Sequence, residues 1–140
     1  MSRIMTPQQL KARLAKLGPA GFKEVRKGMV AAVGEVEGEA KKFCTPGHSP
    51  YSKAPYTDDR DTQREPPHMR DTIKGKVQMT KTNIKGTIGT PKHYALAVHD
   101  GTKKMAGRPF LYDAIRSKRK RTTQLIKDSL KRGLELEAKQ

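Results

Sequence analysis

The sequence predicts an α+β fold with two N-terminal helices, a small antiparallel sheet of three to four strands, and a long C-terminal helix. Three observations predict it. Apolar residues keep a helical period from Leu10 to Phe43, broken once at Gly18-Pro19. Strand-like alternation takes over between Ile73 and Ile88. After Pro109 a helical pattern resumes and carries a dense basic run towards the end of the chain.

At 140 residues the chain is expected to form a single domain, 1-140, with arms. Its formal charge is +16 and only 34% of its residues are apolar, so part of it is expected to bury little until it meets a partner. Tryptophan is absent and aromatics make up 5%, which predicts a small aliphatic core. No apolar run approaches the ~20 residues that span a bilayer, and the opening MSRIMTPQQL lacks a signal-peptide apolar segment, so no membrane partner is expected. Cys44 stands alone, which excludes an internal disulfide framework and a cysteine zinc site. The expectation is a protein made in a reducing cytoplasm and attracted to polyanions. The plainer reading of the charge is a solvated surface.

The helical part covers 6-43. Thr6-Pro7-Gln8-Gln9 combines a capping threonine, a proline at the first helical position and a capping-box glutamine. Leu10, Leu14 and Leu17 share a face before Gly18-Pro19 stops this first helix. A second helix is expected from about Gly21 to Phe43, on Phe22, Val25, Met29, Ala32, Val33, Val36, Ala40 and Phe43. Gly28, Gly34 and Gly38 lie inside it, each at a cost of roughly 1 kcal/mol in helix propensity. Close approach of another backbone at the Gly34/Gly38 face would offset that cost, and inconsequential surface glycines are the alternative.

Residues 44-70 read as a long extended arm. The stretch 45–69 holds five prolines and no periodic apolar pattern. A loop this long within a small domain is functional or disordered. It reads as an arm that orders on a partner, with Tyr51, Tyr56, Arg60 and Arg64 as its docking residues. A β-meander is expected over 71-100. Ile73, Gly75, Val77 and Met79 alternate with Lys74, Lys76, Gln78 and Thr80, and Ile84, Gly86 and Ile88 repeat the pattern. The apolar run Tyr94 to Val98 reads as a third strand, buried on both faces. The C-terminal basic helix spans 108-138, with Phe110, Leu111, Ala114 and Ile115 on its inner face. From Arg116 to Gln124 no apolar residue occurs, and they resume at Leu125, Ile126, Leu130, Leu134 and Leu136. A helix pressed on its own core throughout would not skip those turns. The middle is therefore expected to be solvent-exposed, and Leu125, Ile126, Leu130 and Leu134 to meet a second surface, such as a neighbouring subunit.

No catalytic, metal or cofactor constellation is visible. His48, His68, His93 and His99 show no metal-ligand spacing. Asp58, Asp59 and Asp61 lack the glycine and distal glutamate of a calcium loop. Gly86-Thr87-Ile88-Gly89-Thr90 lacks the lysine of a phosphate loop. Cys44 has no activating base at a fixed distance and reads as a small buried side chain. The electrostatic signal lies in Arg116, Lys118, Arg119, Lys120 and Arg121, which could contact DNA nonspecifically or an acidic protein surface. No aromatic set interleaves with it, and no helix-turn-helix or finger pattern accompanies it.

The segment Tyr94 to Ile115 carries a resemblance. It runs Tyr94-Ala95, then Asp100-Gly101-Thr102, a basic and Met-containing loop Lys103-Lys104-Met105, then Arg108-Pro109-Phe110-Leu111 and Ala114. Upstream, Pro66-Pro67-His68-Met69-Arg70-Asp71-Thr72-Ile73 fits a proline-rich approach to a strand. Together these resemble the HK-97-type gene-product-10 family of phage tail-component proteins, which act in the neck and in tail completion. The resemblance covers most of residues 7–118, and its specific part is short. It implies a non-enzymatic structural virion protein at the head–tail junction or upper tail, in a homo-oligomeric ring, six- or twelve-fold, around the DNA channel. Its implied neighbours are a head-closure or stopper protein and a tail terminator or tail tube. Gly101, Thr102, Arg108, Pro109 and Phe110 would then be structural: Gly101 at positive φ, Pro109 at the helix start, Phe110 and Leu111 in the core. The rival reading from another class is a cellular basic nucleic-acid-binding protein of ribosome- or nucleoid-associated type. A nuclease or toxin is a weaker third.

Overall fold

A computed structural model of the chain describes residues 8, 12, 15–44, 69–80, 83–104 and 107–139. Among these the elements are α1 (Pro19–Phe43), α2 (Met69–Thr72), β1 (Lys74–Met79), β2 (Ile84–Gly89), α3 (Ala95–Asp100) and α4 (Phe110–Ala138). The architecture is α+β: a long N-terminal helix, a two-stranded antiparallel sheet and a long C-terminal helix. Gln8, Ala12 and Ala15 are helical, while Leu10 and Leu14 of the expected first helix lie outside the described residues. So does the arm with Tyr51, Tyr56, Arg60 and Arg64.

Helix α1 begins where the sequence places its break. Gly18 is extended, Pro19 takes the first helical position, and the Phe22 N–H returns to the Gly18 carbonyl at 3.0 Å. The helix has no side-chain cap of its own and no acidic residue in its first turn. Glu137, near the far end of α4, supplies both functions. Its Oε1 accepts the Gly21 N–H at 3.1 Å, which places a carboxylate at the positive end of the helix dipole.

Helices α1 and α4 run antiparallel along their length. Gly21 faces Gly133, Glu24 faces Arg132, Gly28 faces Ser129, and Glu39 faces Ser117, so numbering rises on one helix as it falls on the other. The close approach comes at Gly21 and Gly28. A Cβ on Gly28 would strike Ser129 and lie 3.1 Å from the Leu125 carbonyl oxygen, and a Cβ on Gly133 would lie 2.8 Å from the Gly21 carbonyl oxygen. The expected close approach at Gly34/Gly38 is corrected: a Cβ on either meets nothing within 4 Å. Six residues, about 1.7 turns, separate Gly28 from Gly34, so the two sets fall on different faces.

The hairpin lies across a second face of α1. Its register runs from Lys74↔Gly89 to Met79↔Ile84, and Thr80 N–H to Asn83 carbonyl (2.8 Å) closes the turn. Gly75 and Gly86 face Val33, and a Cβ on Gly86 would lie 2.6 Å from Val33 Cγ2 and 3.0 Å from Met29 Sδ. Bare backbone on this face lets the helix settle onto the strands. Glu37 then ties the layers: Oε2 accepts the Gly75 N–H at 2.9 Å, and Oε1 accepts from Lys41 Nζ at 2.7 Å. Those two donors, Lys41 first, hold the Glu37 carboxyl below the usual range.

The core gathers where the ends of these elements meet. Val36, Ala40, Phe43 and Cys44 from the end of α1 pack on Met69, Ile73, Phe110 and Ala114. The three- to four-stranded meander over 71-100 is corrected to a hairpin flanked by short helices. The expected third strand, Tyr94 to Val98, belongs to α3 and the turn before it. A five-residue apolar run has no period that tells a strand from a buried helical turn, and Ala95-Leu96-Ala97 favours the helix. In helical geometry Ala95 and Val98 pack on the core while Leu96 turns out to 70% exposure.

Candidate functional site

The site grows out of the turn between α3 and α4. Gly101 ends α3 with φ 84° and ψ 172°, a conformation essentially closed to residues bearing a Cβ. The positive φ expected there is present. Its N–H bonds the Ala97 carbonyl at 2.9 Å, and Thr102 Oγ1 accepts the Lys104 N–H at 3.3 Å. The returning chain crosses this turn at Gly107, where a Cβ would lie 2.6 Å from the Asp100 carbonyl and 2.9 Å from Gly101 N. Arg108 then donates its N–H to the Val98 carbonyl at 2.8 Å. Pro109, at φ −74° and ψ 63°, makes an inverse γ-turn that brings the Phe110 N–H to the Arg108 carbonyl at 2.7 Å. Helix α4 starts there, with Phe110 only 2% exposed. The motif residues thus form one packing unit that aims α4.

The basic run that follows is not one surface. Lys118 Nζ lies 3.4 Å from Glu35 Oε2 and 3.8 Å from Glu39 Oε2, and Arg121 Nε lies 3.7 Å from Glu35 Oε1. Ser117 Oγ donates to Glu39 Oε1 at 3.1 Å. The turns that lack apolar residues are joined to α1 by charge, so the expectation of a wholly exposed middle is corrected. Arg116, Arg119 and Lys120 are exposed, and Arg119 and Lys120 form no ion pair with a described residue. Beside the Lys118 contact, Ala31, Gly34 and Gly38 leave an open cleft of about 310 Å³, rimmed by Glu35, Glu39 and Lys42. Further along, Leu125, Ile126, Leu130 and Leu134 are half-buried, and Ser129 and Gly133 are buried against α1. The second surface expected for this segment includes the chain's own first helix.

Two features were not read from the sequence. Ile115, expected on the inner face of α4, is 45% exposed, and Tyr112 is 68% exposed. With Arg116 and Arg119 they follow i, i+3, i+4, i+7 spacing, one helical stripe, and line a cleft of about 550 Å³ with Pro109 and Asp113. The spacing was legible, but Ile115 was grouped with Phe110, Leu111 and Ala114 as an inner face. The second feature is His99. It is buried, shares a 2.6 Å hydrogen bond between Nδ1 and Asp100 Oδ1, and meets Phe110 and Tyr112 edge-on at 5.4 and 4.6 Å between ring centroids. Its Nε2 is buried with no partner among the described residues.

Among the described residues no three His, Cys, Asp or Glu side chains gather into a metal-binding group. No helix among them is long and apolar enough to cross a membrane. No family model, no curated protein and no solved structure matches the chain.

Proposed function

We propose that the chain is a structural virion protein of a tailed bacteriophage: a ring-forming neck or tail-completion component at the head–tail junction, through which DNA passes. The observation that carries the reading is the unit from Asp100 to Phe110. A short motif resembling that of the tail-component family is packed there on both sides of residues 105–106, with Gly101 at positive φ, Gly107 on the Asp100 carbonyl and Phe110 in the core. Such a unit presents a long helix at a fixed angle, as a repeating ring subunit requires. The half-buried Leu125, Ile126, Leu130 and Leu134 supply lateral contacts to the next subunit, and the exposed basic residues face the channel or an acidic neighbour.

Deleting the gene from the phage tests this. The reading expects full heads and finished tails that accumulate unjoined, with infectivity restored by supplying the chain in trans. Joined, infectious particles without the chain would refute it. The second reading, a cellular nucleic-acid-binding protein, is favoured by the exposed Arg119 and Lys120. It would be supported instead if the chain co-purified with host ribosomes or nucleoid.

A further inference from the structure

We infer that the outward stripe at the start of α4 is a docking groove for an acidic segment of a partner protein that carries an apolar anchor residue. The inference rests on the proposed assembly role for the partner's place in the particle; the groove's chemistry stands on its own geometry.

Tyr112, Ile115, Arg116 and Arg119 occupy one helical stripe and line an open cleft of about 550 Å³. Tyr112 and Ile115 are 68% and 45% exposed. Leu96, 70% exposed, lies one turn before His99, whose ring packs edge-on against Tyr112. Tyr112 and Ile115 therefore lie exposed on one stripe, with Tyr112 against a buried imidazole and Leu96 exposed one turn before that histidine. Tyrosine and arginine are the residues enriched where proteins dock, and lysine is depleted there.

Charge selects the occupant. Pairing this groove with the same groove of a second copy would set Arg116 and Arg119 against their like. Within the basic run, Lys118 and Arg121 are engaged by Glu35 and Glu39, whereas Arg119 lies on the groove and forms no ion pair with a described residue. An acidic segment complements that arginine edge, and an apolar side chain fills the space between Tyr112 and Ile115. Nucleic acid is the lesser fit. Its phosphates would pair with Arg119 but leave Tyr112 and Ile115 in contact with water. The exposed Lys120, one turn beyond Arg116, does not line the cleft and serves as an internal control for charge alone.

Fluorescence anisotropy with the full chain tests the groove. The probe is a short labelled peptide of aspartates and glutamates flanking a phenylalanine and a leucine. A second peptide has serine at both apolar positions, and a labelled DNA duplex is the third probe. The groove predicts that the apolar-anchored peptide binds about tenfold tighter than its serine counterpart. Tyr112→Ala and Arg119→Glu should each weaken it about tenfold, and Lys120→Glu only about twofold. Tyr112→Ala should leave DNA binding unchanged. Ile115→Ser, which keeps the contact with His99, serves if Tyr112→Ala loses its folded circular-dichroism spectrum. Equal binding of the two peptides, or equal losses at Arg119 and Lys120, would reduce the groove to a solvated basic face. A loss of DNA affinity in Tyr112→Ala matching the peptide loss would make it a nucleic-acid platform and overturn the inference. Peptide results as expected, with infectious particles formed without the chain, would refute the virion role and leave the groove standing.

Discussion

The same substitution should have opposite signs at two sets of positions on α1. Gly28→Ala adds a methyl group that would strike Ser129 and come within 3.1 Å of the Leu125 carbonyl oxygen. The obstruction includes α4 backbone, so no rotamer change relieves it; the helices must separate. Alanine gains about 1 kcal/mol of helix propensity over glycine. Overpacking costs about 1–3 kcal/mol, and separation also loosens the neighbouring Gly21–Gly133 contact and the Glu137 bond to Gly21. The net expectation is a loss of about 1–2 kcal/mol, or roughly 3–8 °C in midpoint for a chain of this size. Gly34→Ala and Gly38→Ala meet nothing within 4 Å, so each should stabilise by about 0.5–1 kcal/mol. Urea and thermal unfolding followed at 222 nm read all three. If Gly28→Ala is as stable as the parent, or Gly34→Ala is destabilised, the assigned crossing face is wrong.

Other outcomes follow from single contacts. Gly101→Val, at φ 84° and ψ 172°, should cost about 1–3 kcal/mol in thermal unfolding, and an unchanged midpoint would mean the turn is not as described. Glu137→Ala removes the only acceptor seen for the Gly21 N–H among the described residues and should lower stability by about 1 kcal/mol; no change in the urea midpoint would mean water serves equally well. The Glu37 carboxyl is held below its usual range by Lys41 and Gly75. Its stabilising effect is therefore full above the unfolded value of about 4.3 and is lost as pH falls through the folded value. Glu37→Gln should unfold at lower urea than the parent at pH 7, with the gap closing towards pH 3; a gap independent of pH would contradict the ionic origin. Finally, neutralising Arg119 and Lys120 with glutamine should flatten the salt dependence of duplex binding by up to about 2 units in log–log slope. Neutralising Lys118 and Arg121, which face Glu35 and Glu39, should flatten it less. Equal effects would show that the run acts as one surface.

Helix α1 was legible because it spans many periods of apolar spacing, α4 because that spacing flanks its basic run on both sides, and the hairpin because Lys74 to Met79 and Ile84 to Gly89 alternate. The corner at Gly101 was legible because few residues but glycine fit a positive φ. Tyr94 to Val98 misled because a run of five apolar residues has no period, and its helical state is decided by the core it packs on. The contact face of α1 was hidden for a related reason. Gly28, Gly34 and Gly38 look alike in sequence, and only the path of α4 distinguishes those that meet a backbone from those that meet solvent. The division of the basic run was hidden because Glu35 and Glu39 lie far from it in sequence and beside it in space.

The central claim is most directly tested by cryo-electron microscopy of purified virions in which this chain carries a gold-labelled tag. The account predicts a closed ring of label at the head–tail junction or uppermost tail, with the same symmetry as the ring of density there. Label absent from intact infectious particles, or spread over the capsid or tail fibres, would contradict it.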